Sequence, residues 1–425
     1  MMRTRIVIGV LMAVPLVAVP PLLGLGWQNT LNSMLIASLF AAAFNLLMGQ
    51  GGMLSFGHSA FYGVGAFAVL HVMKAAEAGF PFPTPLLPLV GGIAGLLLGA
   101  AAGFLATMRS GVYFSLVTLA LAELLHALAP NWSGVFGGES GLSSMRMPWL
   151  GIDFGSPIEV YYLTLAWVAV SLALLYAYTC TPFGRLTLAL RDNERRIRFM
   201  GFNAHATKTL VFSISGLFSG IAGGLLAIST ETASYGILSS QVSAMVVIHT
   251  FVGGSTIFLG PVLGASLFTL FSFLMSEVTR AWLLYQGLIF VLVMLYAPKG
   301  LAGIFEAHWS NRGRLPWSRL AVPYAAALAS SMLISGATTF AIQIIEQVFS
   351  SPYKAAALGT GVWPPVSVLG VSVLPASFIT WLMIAAAFAA GIAGIIRTRP
   401  VIATLWADGS EGDAPAVRVP TSTAA

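Results

Sequence analysis

The sequence predicts an all-α, polytopic integral membrane protein, and three observations predict it. Only 8% of its 425 residues are charged and 57% are hydrophobic, against about 25% charged in a soluble domain. Its mean hydropathy is +0.88. Apolar stretches long enough to cross a bilayer, roughly 20 residues each, follow one another with Gly, Pro and Asn between them rather than in the short alternating pattern of a barrel. They amount to roughly eight to ten core transmembrane helices, some broken or re-entrant, followed by a C-terminal two-helix extension.

The elements follow in order. Residues 5–26 have the look of a signal peptide but lack a clear small-residue cleavage site, so they read as a retained first span. Further spans are predicted near 30–48, 58–73, 84–107, 111–129, 158–180 and 209–229. From 241 to 297 the pattern blurs into two or three crossings, broken at "HTFVGGSTIFLGP" and near Glu277 to Arg280. A basic linker, "HWSNRGRLPWSR", then leads to apolar segments near 320–345 and 373–396. The tail from Trp406 is rich in Asp, Ser, Thr, Pro and Ala without apolar periodicity and reads as disordered. The domain boundaries are therefore 1–305 for a transmembrane core, 306–400 for the linker and hairpin, and 401–425 for the tail.

Gly91, Gly95, Gly99 and Gly103 recur every four residues, as do Gly216, Gly220 and Gly224. Each set puts small residues on one stripe of a helix, where backbones approach closely.

The net charge of +6 sits at span ends rather than in a basic domain, which excludes nucleic acid as the partner it points to. With a cytoplasmic N-terminus and three crossings in the blurred stretch, only Lys74, Arg146, Arg280 and Lys354 fall outside. That asymmetry obeys the positive-inside rule and makes both termini cytoplasmic. One cysteine, Cys180, excludes an internal disulfide. None of the four lysines lies in a phosphate-cradling Gly-rich loop, so the chain is predicted not to hydrolyse ATP and not to be an enzyme. The histidines at 58, 71, 126, 205, 249 and 308 show no metal-ligand spacing.

Three places could carry function. Glu123, in "LALAELLHAL", is the one deep acid, and His126 shares its helix face three residues on; the pair reads equally as an internal clamp and as part of a transport route. The stretch "NLLMGQGGMLSFGHSAF" has four glycines within nine residues and cannot hold a regular helix. It is either a broken helix lining a substrate route, with Asn45, Ser55, His58 and Ser59 as polar lining, or a turn between spans. "FVGGSTIFLGP", from 251 to 261, has the same character and the same two readings.

The third place is a knot of charge, "RDNERRIRFMG", whose first eight residues carry six charges. Thr181 is placed to cap a helix with Pro182 at its first position. In that helix Asp192 and Arg196, and Glu194 and Arg198, stand four apart in the favourable orientation. Gly201 is placed to end it, and Asn203 to cap the next. Topology alone explains the sign of the charge. Arginines spaced among Ile197, Phe199, Met200 and Phe202 also make a knob with exposed apolar residues, suited to docking another protein.

The string "GRLTLALRDNERRIRFMGFNAHATKTLVFSISGLFSGIAGGLLA" resembles the signature loop of LivM-type permeases, the membrane subunits of branched-chain amino acid ABC importers and their urea and amide relatives. Three other places agree in family order: "NLLMGQGGMLSFGHSAFYGVGAF", "SLVTLALAELLHALAP" followed by "FGGESGL", and "VGGSTIFLGPVLGA" with "LYAPKGLAG". The resemblance covers residues 30 to 305. It implies an import permease in a bacterial-type inner membrane, paired with a LivH-like second permease, two cytoplasmic ATPases that bind the ATP and Mg, and an extracytoplasmic solute-binding protein. Membrane lipid surrounds it. It also implies that 185–202 is the coupling segment seated in an ATPase, with Arg191, Asp192, Asn193, Glu194 and Gly201 matching the loop's motif and Glu123 the family's membrane Glu. Arg195 and Arg196 stand where small residues are common, "RIRFMG" is similar to the urea-type branch, and His126 replaces a common Arg. These departures leave branched-chain amino acids, urea or amides, and other small organic acids open as solute. The rival of another class is a self-sufficient carrier or channel, disfavoured by so few intramembrane acids.

Overall fold

The computed structural model describes residues 15–277, 279, 281–360, 363–368 and 371–411. Among these, eight helices are long and apolar enough to cross a membrane, or nine if a pair bent by 46° counts as one span. The core helices are α1 (Leu25–Asn45), α2 (His58–Glu77), α3 (Leu87–Ala106), α4 (Val112–Leu128), α5 (Pro157–Cys180), α6 (Pro182–Asp192), α7 (Glu194–Phe199) and α8 (Ala204–Thr230). They are followed by α9 (Ser240–Gly253), α10 (Gly260–Ser276) and the bent pair α11 (Trp282–Tyr296) and α12 (Gly300–Ser310). Of the expected first span, residues 1–14 lie outside the described residues and the remainder is broken by a 3-10 turn at Pro20–Leu22; the expected span near 30–48 is α1, which continues into a π-helical turn, Leu46–Gln50.

Two compact units divide the chain. One takes Met1–Met275 and Gln286–Ile304, the other Ser276–Tyr285 and Phe305–Ala425.

In the first unit α8 is the axis, with α2 and α3 against it. The two predicted glycine stripes meet each other. A Cβ at Gly216 would stand 2.5 Å from the Gly95 carbonyl oxygen, and one at Gly91 would stand 2.6 Å from that of Gly220. Neither helix can carry side chains at these positions without parting from the other, which is how small residues hold membrane helices together. Around this contact Phe44, Phe67, Phe212 and Leu225 are fully buried. The blurred stretch resolves into short helices: α9 and α10, at 14 and 17 residues, fall short of the roughly 20 that typically cross a bilayer. Gly253 and Gly264 let them fold back on each other: a Cβ on Gly264 would stand 2.7 Å from the Gly253 Cα.

The second unit is an antiparallel helix pair, α13 (Trp317–Phe349) and α15 (Phe378–Glu411). Between them lie α14 (Ser351–Thr360) and a hairpin of β3 (Val366–Val368) and β4 (Val371–Val373). Gly391 and Gly394 sit against Ser330. At one end of the pair the Tyr324 hydroxyl meets His308 Nε2 at 2.9 Å and accepts from Trp406 Nε1 at 2.7 Å. That anchor accompanies a departure from the expected tail: α15 runs through Pro400 and on to Glu411. Residues 412–425, the rest of that tail, lie outside the described residues.

Candidate functional site

The charged loop begins as the sequence requires. Thr181 is extended, its Oγ1 accepts from the Gly184 amide at 3.2 Å, and Pro182 opens α6. The expected single helix is then cut in two. Asn193, at φ −159° and ψ 101°, leaves the helix and its Oδ1 accepts from the Arg196 amide at 3.1 Å, capping α7. An asparagine side chain that can satisfy a first-turn amide competes with helix continuation, and here it wins. The expected Asp192–Arg196 pair is consequently absent; Asp192 lies instead 3.6 Å from Arg191 Nε. The Glu194–Arg198 pair forms at 2.5 Å. Gly201 ends the element at φ +86°, and Asn203 Oδ1 caps α8 through the Ala206 amide at 3.1 Å.

The loop has two faces. Ile197, expected in the exposed knob, is instead fully buried with Leu190 and Ala204, and holds α6, α7 and α8 together. Phe199 is 91% exposed, and Phe183, Met200 and Phe202 are exposed beside it.

Arg191 reaches from the loop to the π-helical end of α1, where its Nη1 donates to the Gly49 carbonyl at 2.6 Å. A cation on the final carbonyls of a helix meets the negative end of its dipole. Gly52, at φ +67°, lies under the same side chain, and a Cβ there would stand 2.5 Å from Arg191 Cγ. Gly49 in turn abuts the Ser255 carbonyl, and Gly254 the Lys299 carbonyl. The charged loop, both glycine breaks and the "APKG" turn therefore converge on one end of the first unit. A cavity of about 510 Å³ opens there, lined by Gly52, Arg109, Arg191, Asp192, Glu194 and Lys208 among others.

Glu194 is held from both sides. Its Oε1 takes Arg198, and its Oε2 takes Lys208 Nζ at 2.5 Å and the Ser110 hydroxyl at 3.3 Å. Lys208 Nζ also donates to Ser110 Oγ at 2.8 Å. Burial pushes the Glu194 carboxyl up, but the hydrogen bonds and charges of Lys208 and Arg198 outweigh it and hold the group below the ordinary glutamate range.

The residues expected to line a route lie away from this cavity. The stretch after the π turn is a connection between two complete spans, and its polar side chains point into the packed interior. Asn45, Ser55, His58 and Ser59 are all buried, and none of them lines a described cavity. Ser59 Oγ donates to the Leu238 carbonyl at 3.0 Å and accepts from Ser243 Oγ at 2.9 Å, so its hydrogen bonding is complete. Ser55 Oγ accepts from the Gly57 amide at 3.3 Å, inside the turn itself. His58 is ringed by Phe40, Phe44, Phe61 and Phe212. The single Ser215 hydroxyl proton goes to the Ala43 carbonyl, so His58 Nε2, 2.8 Å from the same oxygen, is the donor and Nδ1 is left a buried acceptor without a partner. Glu123 and His126 do not pair: His126 Nδ1 lies 3.2 Å from the Tyr235 carbonyl instead. Glu123 is half-buried on α4 and makes no hydrogen bond or ion pair among the described residues.

The family model for the permease component of branched-chain amino acid transport systems matches residues 27–298, well over half of the chain. The chain belongs to this family. The LivM permease of the high-affinity branched-chain amino acid transport system of Salmonella typhimurium is 28% identical over 317 residues, covering 68% of this chain and 74% of the relative. Its Escherichia coli counterpart is 27% identical over 309 residues, covering 67% and 72%. A probable branched-chain amino acid permease LivH of Methanocaldococcus jannaschii is 24% identical over 273 residues, covering 61% and 85%. No solved structure matches. The family match ends at residue 298, before the helix pair α13 and α15.

The permease also has a charge cluster at the other end of α2 and α8 that sequence reasoning missed. Arg146 Nε meets Glu231 Oε1 at 3.0 Å, and Arg146 Nη1 donates to the Ile228 carbonyl at 3.2 Å. Glu77 Oε1 accepts from Ser144 Oγ at 2.9 Å and from the Met145 amide. A two-residue pairing of β1 (Leu142–Ser143) with β2 (Thr232–Ala233) completes the fastening of the 132–152 segment. Lys208 was missed as well. Both have a signal only in retrospect, a charge at each end of a long apolar helix, because their partners lie 85 and 14 residues away.

Proposed function

We propose that this permease is one of two membrane subunits of an ATP-driven importer for branched-chain amino acids or a similar small polar solute. A LivH-like permease forms the other half of the route, two ATPases supply the energy, and an extracytoplasmic binding protein delivers the solute. The reading rests on the curated relatives, which serve branched-chain amino acid transport, and on one observation of this chain. A charged loop with exposed aromatic residues is bonded through Arg191 to the end of α1, so force applied to the loop reaches the membrane helices. The loop faces the cytoplasm, as the basic residues at its end require. Phe199, Met200 and Phe202 meet an ATPase, and Arg191, Asp192, Asn193 and Gly201 shape the docking segment. Glu123 is the supporting charge of the route.

The test is ATP-dependent leucine uptake in proteoliposomes holding all the subunits. Reversing Asp192 and Glu194 together to lysine is expected to leave membrane insertion intact and abolish uptake. Normal uptake by that variant removes the coupling role, and gradient-driven flux through the chain alone makes it a self-sufficient carrier. Genes beside this one are expected to encode two ATPases and a binding protein.

A further inference from the structure

Glu194 belongs to the loop's motif, yet its position is wrong for docking. Both carboxylate oxygens are engaged with cations of the same chain, one of them Lys208, whose side chain is only 6% exposed. Asp192, by contrast, has 73% of its side chain exposed and is the acid that faces outward. The charged loop leaves α7 for α8 through residues 200–203, an exposed turn containing Gly201 in a left-handed conformation. The turn is fastened within itself, the Gly201 amide to the Arg198 carbonyl at 3.0 Å and the Phe202 amide to that of Ile197 at 3.2 Å, so it closes α7 without tying it to the side of α8. Besides the Arg191 bond to Gly49 at the end of α1, two connections bypass it to reach α8. One is the apolar contact of Ile197 with Ala204, and the other is the Glu194–Lys208–Ser110 triangle.

We propose that Lys208 is a positioning residue that clasps the charged loop to α8 and to the turn between α3 and α4, so that displacement of the loop is delivered to the membrane helices rather than absorbed in the exposed turn at 200–203. The geometry that carries it is the shared triangle: Lys208 Nζ lies 2.5 Å from Glu194 on α7 and 2.8 Å from Ser110 in the α3–α4 turn. Charge-assisted bonds of this length are roughly twice as strong as neutral ones. The side chain that makes them starts from the second turn of α8, the helix whose glycines interlock with α3. A push on the loop therefore moves α8 and the end of α3 together. The role rests on the reading of the loop as the element an ATPase moves; the clasp itself is a property of this chain.

Two measurements test it. In the full chain in detergent, Lys208→Met is expected to speed amide exchange across 194–199 by about tenfold, whereas Lys208→Arg keeps it near wild type. In the assembled importer, solute moved per ATP hydrolysed is expected to fall about tenfold in Lys208→Met and to recover in Lys208→Arg, within the range that single changes along a coupling element produce. Glu194→Gln, which keeps the shape of the side chain, is the second variant should the methionine chain fail to fold. Wild-type exchange and a wild-type transport ratio in these variants overturn the proposal. A wild-type complex without ATP-driven uptake overturns the importer reading instead, and the exchange measurement on the chain alone still decides the clasp.

Discussion

Replacing Gly216 by alanine adds one methyl group at the centre of the permease. The new Cβ would stand 2.5 Å from the Gly95 carbonyl oxygen and 3.3 Å from the Gly99 Cα, where ordinary contact needs 3.4 Å. The obstructing atoms are helix backbone, so α3 as a whole must retreat by about 0.9 Å. Overpacking of this kind costs about 1–3 kcal/mol, and rigid backbone puts it near the top of that range. Alanine recovers about 1 kcal/mol of helix propensity, leaving a net loss of about 2 kcal/mol, or roughly 30-fold in the folded ratio. The assay is reversible unfolding in mixed micelles, with Gly287→Ala as control. A Cβ at Gly287 meets no atom within 4 Å, so the control is expected to be neutral or up to about 1 kcal/mol more stable. A Gly216→Ala chain as stable as the control refutes the interlock of α3 and α8.

Other outcomes follow from the same geometry. Because Glu194 titrates below the ordinary glutamate range, its bonds to Lys208 and Arg198 are complete above that range and are lost only as pH falls through the depressed value. Amide protection of 194–199 is therefore expected to persist at mildly acid pH and to collapse only below the normal glutamate range; Glu194→Gln abolishes that pH dependence, and a collapse near neutrality contradicts it. Ser215→Ala strands the His58 Nε2–H in an aromatic cage and is expected to cost about 1–3 kcal/mol, more than His58→Leu, which also removes the partnerless Nδ1. The reverse order in denaturant midpoints contradicts the tautomer. In a Cys180→Ser background, cysteines at Ser55 and Ser59 are expected to resist a membrane-impermeant thiol reagent while one at Met200 reacts quickly. Labelling of Ser59→Cys would return the glycine break to the solute route.

What the sequence disclosed and what it hid divide by range. Periodicity and span length located the long helices, since α2 through α5 and α8 each need only their own residues to be apolar. Thr181, Gly201 and Asn203 were readable for the same reason, because a cap bonds within three residues. Asn193 was not, since the same stretch satisfies both a continuous helix with an Asp192–Arg196 pair and a broken one with a cap. The stretch from 241 to 297 was obscure because its helices are short and depend on glycine contacts with distant segments, such as Gly254 against Lys299. The pairing of Arg146 with Glu231 and of Lys208 with Glu194 is written in no local pattern. Ser59 and His58 were ambiguous for a related reason: polar residues in a glycine-rich break serve a pathway and a packed turn equally well, and their buried partners, Leu238, Ser243 and Ser215, are not local in sequence.

The most direct test of the central claim is a photo-crosslinker at Phe199, the most exposed large apolar side chain of the charged loop. In a complex competent for uptake, it is predicted to join this chain to an ATPase subunit with a yield that changes between ATP-bound and ATP-free states. Adducts with lipid alone, or none, in a complex that still transports solute would contradict the claim that this loop is where the permease is driven.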